Sequence, residues 1–202
     1  MLDSKILRES FPSLNRLDSK NNQIIYLDGP GGTQVPIQVI EAISEYYQRS
    51  NANTHGEFIT SKETDIIVDG LRSRMSDMLG AENSNTISIG QNMTTLNYSL
   101  SHALSRKFKK GDEVIVTQLD HEANRGPWKV LEEVGVKIVE IDLLENGTLD
   151  YVDFKNKIND KTAMVCMGMS SNAIGTLNNF SKVKKYLTER KCLFLLDAVH
   201  YA

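Results

Sequence analysis

Apolar and polar residues follow two different periods along the chain, and the switch between them predicts an order of helices and strands. Up to Leu104, apolar side chains recur every three or four positions in three segments, which indicates helices with one buried face. Pro36 is expected to begin the first helix, Gly80 to end the second, and Met93 to begin the third. Two short apolar runs predict strands, at residues 24–32, where the strand enters a Gly/Pro turn, and at residues 86–90.

From Glu113 onward the predicted strands and helices alternate. Apolar runs predict strands at residues 113–117, 136–141, 162–170 and 192–197. Helical spacing between them is marked by three groups of residues: Trp128, Leu131 and Val134; Phe154 and Ile158; Phe180, Val183 and Leu187. This alternation indicates an α/β domain with a mainly parallel sheet. In several strands both odd and even positions are apolar, so both faces of the sheet are expected to be buried under helices.

Composition narrows the class of protein. The chain has 202 residues, of which 40% are hydrophobic and 24% charged, enough for one substantial domain or most of a larger one. With 23 Lys and Arg against 26 Asp and Glu, the net charge of -3 gives no electrostatic basis for binding nucleic acid or an anionic membrane. No apolar run approaches the about 20 residues that span a bilayer, so no membrane segment is expected.

The N-terminal sequence and the cysteines both indicate where in the cell the protein is expected. The first fourteen residues carry scattered charges and no apolar core, so no signal peptide is expected. The two cysteines, Cys166 and Cys192, lie in predicted strands and are too few for a disulfide framework, and we expect them to be buried small hydrophobes. A reducing, cytoplasmic location is therefore expected.

In open parallel sheets, ligands bind beyond the carboxyl ends of the strands, so the residues that follow each strand are the first candidates for a binding site. Gln91, Asn92 and Met93 precede a helix, where free backbone N–H groups form a natural phosphate site. The alternative is plain helix capping by Asn92 or Thr94.

The later strand ends also carry polar residues. His121 follows the predicted strand at residues 113–117, where a lone histidine is often structural, and Asn172 follows the one at residues 162–170, where it could be a turn residue. Asp197 and His200 follow the last strand, and an aspartate there could be a metal ligand, a helix cap, or an anion that holds a cationic ligand atom. Together a phosphate cradle, a flat ring, an amide and a carboxylate fit one ligand, pyridoxal 5′-phosphate (PLP).

These stretches carry a family resemblance. The chain resembles the class V branch of the fold-type I PLP enzymes, the aminotransferase and cysteine desulfurase family, from about Tyr26 to its last residue. The matching segments are "YLDGPGGTQVP", "NTHGEF", "GQNMTTLN", "GDEVIVTQLDHEANRGPW", "SSNAIGT" and "LLDAVHYA". The resemblance implies a truncated large domain of that fold, an amino-acid substrate handled through an external aldimine, and a homodimer in the full-length protein.

The resemblance also implies a role for each matching residue. Phosphate binding falls to Gln91, Asn92 and Met93, and ring stacking to His121. The pairing with the pyridine nitrogen falls to Asp197, because a nearby carboxylate favours the protonated nitrogen. Positions beside the phenolic oxygen fall to Asn172 and His200, and a looser contact with substrate to Gly31, Gly32 and His55.

Some features of the family are not matched. None of the lysines stands in the motif position of the Schiff-base lysine, which is expected to lie beyond the last residue together with the small domain. We therefore expect an N-terminal helical segment over residues 1–23 and a partial PLP-binding domain over residues 24–202. Desulfurases commonly have glutamine where this chain has His200, and an Asn-Ala-Ala turn where it has "LDGPGGT", so cysteine is not implied as the substrate.

Two alternatives remain open from the sequence. The chain could be a noncatalytic binding or assembly module, or a pseudoenzyme with a vestigial PLP site, because a truncated parallel sheet exposes a strand edge. A metal site could instead be built from His121, Glu122, Asp197 and His200, although no metal is the first expectation.

Overall fold

The computed structural model describes residues 3–202, which form two compact units divided after Ile89. The first unit contains α1 (Ser4–Glu9), α2 (Ile37–Arg49) and α3 (Ile59–Leu79). The second unit, Gly90–Ala202, contains α4 (Met93–Leu104), β1 (Glu113–Thr117), β2 (Lys137–Ile141), α5 (Tyr151–Lys157), β3 (Thr162–Gly168), α6 (Phe180–Leu187) and β4 (Leu193–Asp197). Short 3₁₀ helices cover Pro12–Asn15, Gly29–Gly31, Ser84–Thr86, Glu122–Asn124 and Gly126–Val134. The division predicted from sequence, residues 1–23 and 24–202, stays a prediction.

Two helix boundaries of the first unit lie where the sequence predicts. Pro36 is the N-cap of α2, and its fixed φ leads into the first helical turn. Gly80 ends α3 in the left-handed conformation, with φ of 62°, which suits a residue without a Cβ. Both predicted boundaries are confirmed.

Two predicted strands are wrong. Within residues 24–32 there is no strand, and the nearest pairing is an isolated bridge between Leu17 and Gln23. Residues 87–90, which follow the 3₁₀ turn at Ser84–Thr86, also join no ladder in the described chain. A strand needs a hydrogen-bonding neighbour as well as apolar residues, and the local sequence does not say whether a neighbour is present.

The second unit is built on a fully parallel four-stranded sheet in the order β2-β1-β3-β4. Ile115 of β1 lies opposite Val139 of β2 on one side and Val165 of β3 on the other. The chain moves outward from β1 to β2 and then crosses back to β3, so the strand order reverses between β1 and β3. In open α/β sheets, that reversal opens a crevice at the carboxyl ends of the strands.

Helices cover both faces of this sheet, as predicted. On one face, Val114 and Cys166 pack with Leu104 of α4 and with Trp128 and Leu131. The other face has its own buried cluster, and its members are Ile115, Ile141, Leu149, Phe154, Ile158, Val165, Met167, Val183 and Leu187. The α/β class with a parallel sheet is therefore confirmed, and the helix predicted around Trp128 is a 3₁₀ helix over Gly126–Val134.

The structure also bears on the membrane prediction. Among residues 3–202, no helix combines the length and the hydropathy that crossing a bilayer requires.

The cap of α5 yields a first stability prediction. Asp150 Oδ1 accepts hydrogen bonds from the N–H groups of Val152 at 2.8 Å and Asp153 at 3.0 Å. Asp150→Ala is expected to lower the free energy of unfolding by about 1 kcal/mol in urea titrations, because two amide donors lose their acceptor. Asp160→Ala, at a solvent-exposed ion pair with Arg190, should change little. Equal effects for the two variants would contradict the capping role.

Candidate functional site

The carboxyl ends of β1, β3 and β4 lie side by side, and the predicted site residues of the second unit follow them. Asp197, the last residue of β4, is in register with Gly168, the last residue of β3. Gly168 N–H in turn donates to the carboxylate of Asp120, three residues after β1. Three strand ends are therefore joined by backbone pairing and one buried carboxylate.

Helix α4 points a free N-terminus outward. Asn92 is its N-cap, and Oδ1 accepts from Thr95 N at 2.8 Å, so the predicted capping role is present. The N–H groups of Met93 and Thr94 have no acceptor among residues 3–202. Unpaired N–H groups at the positive end of a helix dipole are suited to an anion.

Gly90 brings the chain close to this helix start. A Cβ built there would lie 2.6 Å from Leu96 Cδ2, so any side chain at this position would displace α4's first turn or the leucine. A side chain at position 90 would therefore require the Leu96 side chain to move.

Asn97 connects α4 to the segment after β1, and the sequence analysis missed it. Its buried Nδ2 donates to Ala123 O at 3.0 Å and to Asn124 Oδ1 at 3.3 Å. The side chain of Trp128 continues this link, since Nε1 donates to Asn124 O at 2.9 Å. The available signal was an amide one helical turn after Met93, on the apolar face of a helix, where an amide needs a partner.

His121 begins the 3₁₀ turn Glu122–Asn124. Its Nδ1 accepts from Ala123 N at 3.1 Å, while the imidazole as a whole is exposed. Since an accepting nitrogen carries no hydrogen, the hydrogen of the neutral ring sits on Nε2. The turn fixes the ring at one nitrogen and leaves its faces accessible.

Asp120 precedes His121 and is a second residue that the sequence analysis missed. It is buried, and its Oδ2 accepts from Thr117 N at 3.1 Å. Burial raises the pKa of Asp120 to about 6, the charge of Asp197 adds to that rise, and the N–H donors of Gly168 and Thr117 oppose it. The signal available was a carboxylate directly at a strand end, next to the predicted His121.

Asn172 lies in the tight turn after β3. Ser171 Oγ accepts from Ala173 N at 3.2 Å and from Ile174 N at 3.3 Å, which fixes the turn. The buried hydroxyl groups of Ser170 and Thr176, on either side of this turn, have no hydrogen-bond partner among the described residues. Buried hydroxyls without a partner mark a place where a polar ligand group would be accommodated.

Asp197 and His200 follow β4. Asp197 Oδ1 accepts from Val199 N at 3.0 Å, which leaves Oδ2 available, and the side chain is half-buried. His200 is exposed in the turn that follows, and Tyr201 packs edge-on against Phe180 at 5.8 Å between ring centroids. A half-buried carboxylate with one free oxygen can pair with a cationic ligand atom.

The residues predicted to approach the substrate belong to the first unit. Gly31 ends a 3₁₀ turn capped by Asp28, and Gly32 has φ of 151°, a conformation that favours glycine. His55 has φ of 64°, and its N–H donates to both carboxylate oxygens of Asp65 at 3.1 Å. Its exposed imidazole Nδ1 lies 3.4 Å from Asp65 Oδ1. Their contact with a substrate stays a prediction.

A well-formed cavity in the first unit involves other residues. It measures about 860 Å³ and is lined by α2 and α3, including Ile43, Tyr47 and Ile67. None of the predicted site residues lines this cavity. This cavity therefore does not bring together the residues predicted from the sequence.

The two cysteines are unsuited to nucleophilic chemistry. Burial raises the pKa of Cys166 well above its ordinary value. Burial likewise raises the pKa of the half-buried Cys192 to about 11. Because the thiolate is the reactive form, both thiols are inert near neutral pH.

The metal alternative finds no support in the described residues. Across residues 3–202, no group of three or more His, Cys, Asp and Glu side chains is arranged to hold a metal ion. His121, Glu122, Asp197 and His200 therefore do not form a ligand set there.

Comparison with known proteins identifies the family. Residues 25–202 match the family described as Aminotransferase class-V. The chain belongs to the class-V aminotransferase family. The predicted resemblance is therefore confirmed over the same part of the chain.

Relatives and solved structures within this family agree with the fold. The chain is 28% identical to a probable cysteine desulfurase of Streptomyces coelicolor over 205 residues, covering 98% of this chain and 49% of that protein. The apo structure of a cysteine desulfurase from Thermococcus onnurineus NA1 matches with a TM-score of 0.85 and 26% identity, covering 98% of this chain and 48% of that one.

One further solved structure carries the cofactor. It is a mutant C-DES with glycine covalently linked to PLP, and it matches with a TM-score of 0.81 and 19% identity. The match covers 100% of this chain and 51% of that one, and at this identity it supports the fold alone. The chain spans about half the length of the curated relatives it matches.

Proposed function

We propose that the second unit binds pyridoxal 5′-phosphate and that the complete protein is an enzyme acting on an amino acid, as an aminotransferase or a cysteine desulfurase. Class-V aminotransferases are PLP-dependent, and this chain belongs to that family. When bound, the cofactor supplies an electron sink that lets a bond at the amino acid's α-carbon break.

One observation carries the proposal more than any other. Three adjacent strand ends and a helix N-terminus are joined by hydrogen bonds through Asp120 and Asn97, which supports a shared crevice for their polar groups. The crevice lies where the strand order reverses, which is the usual ligand site of open α/β sheets.

The start of α4 would hold the phosphate. Its free N–H groups at Met93 and Thr94 and the positive dipole end favour an anion, and Gln91 and Asn92 add polar side chains beside them. The Asn92 side chain already accepts from Thr95 N, so Asn92 would contribute mainly through its cap and backbone.

His121 and Asp197 would hold the ring. The imidazole of His121, fixed through Nδ1, would stack on one ring face and orient the ring plane. The free Oδ2 of Asp197 would pair with the pyridine nitrogen and favour its protonated state, because an opposite charge stabilises a cation. Asn172 and His200 would donate to the phenolic oxygen.

Further parts of the proposal concern the complete protein. The Schiff-base lysine is expected outside this chain, and Gly31, Gly32 and His55 are proposed to approach the amino acid. A homodimer and a cytoplasmic location are likewise proposed. The location is supported by two unpaired cysteines, which suit a reducing compartment.

The test is a PLP titration of the purified chain, followed by borohydride reduction and peptide mapping. We expect saturable binding, no uniquely labelled lysine, and a dissociation constant at least about tenfold higher for Asp197→Ala, since the cationic nitrogen loses its partner. Asp160→Asn, which removes one carboxylate from a fully exposed position, is the charge-matched control and should bind as wild type.

Other outcomes would redirect the proposal. Stoichiometric labelling of one lysine would mean that this chain holds its own Schiff-base residue. If no PLP binds while circular dichroism shows a folded chain, the alternative of a noncatalytic binding or assembly module would replace the enzyme proposal.

A further inference from the structure

Asp120 lies between β1 and His121 and makes contacts on both sides. Its Oδ2 accepts from Thr117 N at 3.1 Å, and this hydrogen bond closes a short turn directly after β1. Its Oδ1 accepts from Gly168 N at the end of β3, 48 residues away in sequence. Only 8% of Asp120 is exposed, so both bonds are largely shielded from water. This carboxylate therefore fastens the start of the His121 segment to the neighbouring strand.

Gly168, which donates to the Asp120 carboxylate, is itself held in place by neighbouring hydrogen bonds. Asn178 Nδ2 donates to Gly168 O at 2.8 Å, and Asn178 N donates to Met169 O at 2.9 Å. Met169 N donates to Asp197 O at 2.8 Å, extending the β3–β4 ladder to its last residue. The Asp120 carboxylate is thus connected through Gly168 and the peptide that follows it to the backbone of Asp197.

Close approach at this point depends on the absence of a side chain. A Cβ on Gly168 would lie 3.0 Å from Asp120 Oδ1 and 3.3 Å from Ser170 O. Since Asp120 is also bound by Thr117 N, its carboxylate has little freedom to withdraw. Gly168 and Asp120 form a matched pair in which the backbone N–H of one meets the carboxylate of the other.

We propose that Asp120 is a positioning residue of the cofactor site, which sets the separation between the His121 imidazole and the Asp197 carboxylate by tying their two segments together. The inference rests on the proposed function for the identity of the ring that lies between these groups. The fastening itself depends only on the contacts of Asp120 with Thr117 and Gly168.

Asp120 also adds charge beside the site. The groups that face it are Asp197 from β4 and Cys166 from β3, with His121 and Glu122 following in its own segment. Burial keeps the Cys166 thiol neutral by raising its pKa, so the interaction with Asp197 is the charged one. Two carboxylates near each other favour a cationic ligand atom between or beside them. Cofactor binding should therefore depend on the ionisation of Asp120.

The first test compares PLP binding of wild type, Asp120→Asn and the control Asp150→Asn between pH 5 and 8. Asp150 also accepts two backbone N–H bonds, at the cap of α5, but through Oδ1 alone, so Asp150→Asn keeps both bonds and controls for the loss of one carboxylate charge. We expect about a tenfold higher dissociation constant for Asp120→Asn at pH 7.5 and little change for the control. Wild-type binding should weaken between pH 7.5 and 5 by about fivefold more than binding of Asp120→Asn.

Gly168→Ala distinguishes the position of the Asp120 carboxylate from its charge. It keeps the Asp120 carboxylate but pushes against Oδ1, so binding should weaken while its pH dependence follows that of wild type. Binding of Asp120→Asn and Gly168→Ala within twofold of wild type at every pH would overturn the inference while leaving the proposed function standing.

A measurement on the apoprotein tests, without PLP, whether the hydrogen bonds of Asp120 hold the His121 segment in place. Hydrogen exchange of the Ala123 amide, which donates to His121 Nδ1, should be at least about tenfold faster in Asp120→Asn and unchanged in Asp150→Asn. Unchanged exchange in Asp120→Asn would overturn the positioning role. If wild type binds no PLP, the proposed function fails, because Asp120 then has no cofactor to position. The exchange result would still show separately whether Asp120 holds the His121 segment in place.

Discussion

Trp128→Ala is expected to lower the free energy of unfolding of the second unit by about 3–5 kcal/mol. The indole is fully buried in the core layer on one sheet face, against Val114 and Leu131, and Nε1 donates to Asn124 O at 2.9 Å. Alanine would leave a cavity that the strands and helices fill only in part, and a buried carbonyl without its donor. Since the total free energy of unfolding of a domain is about 5–15 kcal/mol, this substitution removes a large share of it.

Urea unfolding followed by circular dichroism checks this prediction, because Trp128 is the single tryptophan and its fluorescence disappears with it. Trp128→Phe retains much of the apolar volume and loses the hydrogen bond, so about 1–2 kcal/mol is expected. Val152→Ala, at a position 68% exposed on α5, should stay within about 0.5 kcal/mol. A loss below about 1 kcal/mol for Trp128→Ala would contradict its place in the core.

The same core explains which strands could be predicted. Residues 113–117 and 162–168 are continuous apolar runs because both faces are covered, so composition alone marks them. The runs at 24–32 and 86–90 also contain apolar residues and yet form no strand in the described chain. Pairing is decided by distant segments, which a local pattern does not contain.

The type of the helix at Gly126–Val134 was available from spacing. Trp128, Leu131 and Val134 recur every three residues, which is the period of a 3₁₀ helix and not the mixed three-and-four period of an α-helix. Trp128 and Leu131 are fully buried in the core as the spacing predicts, whereas Val134 at the end of the helix is exposed.

The candidate site was predictable residue by residue but not as a connected unit. Polar residues after each strand marked His121, Asn172 and Asp197, because parallel strands end at one edge of a sheet. That β3 pairs with β1 and not with β2 is set by the crossover through α5, which the residues at the strand ends do not encode. For this reason the contact between Asp120 and Gly168, across 48 residues, became visible only in the fold.

The difference in stability between wild type and Asp120→Asn is expected to change by about 2 kcal/mol between pH 4 and pH 7. Burial raises the pKa of Asp120 to about 6 from an ordinary 3.8. Between these values the folded state binds more protons than the unfolded state, so wild-type stability falls as pH rises through the window. The asparagine variant has no proton to lose there and should become relatively more stable across the same interval.

Urea titrations of both proteins at several pH values, followed by Trp128 fluorescence, would measure this difference within the second unit. Asp197→Asn is the informative control. Because burial is the main cause of the raised pKa of Asp120 and the charge of Asp197 a lesser one, that variant should keep most of the wild-type slope. If Asp197→Asn flattens the slope as strongly as Asp120→Asn, the two carboxylates are coupled more tightly than burial allows, and the site titrates as a pair. Parallel curves for wild type and Asp120→Asn would instead mean that Asp120 is already ionised at pH 4 and that its N–H donors outweigh its burial.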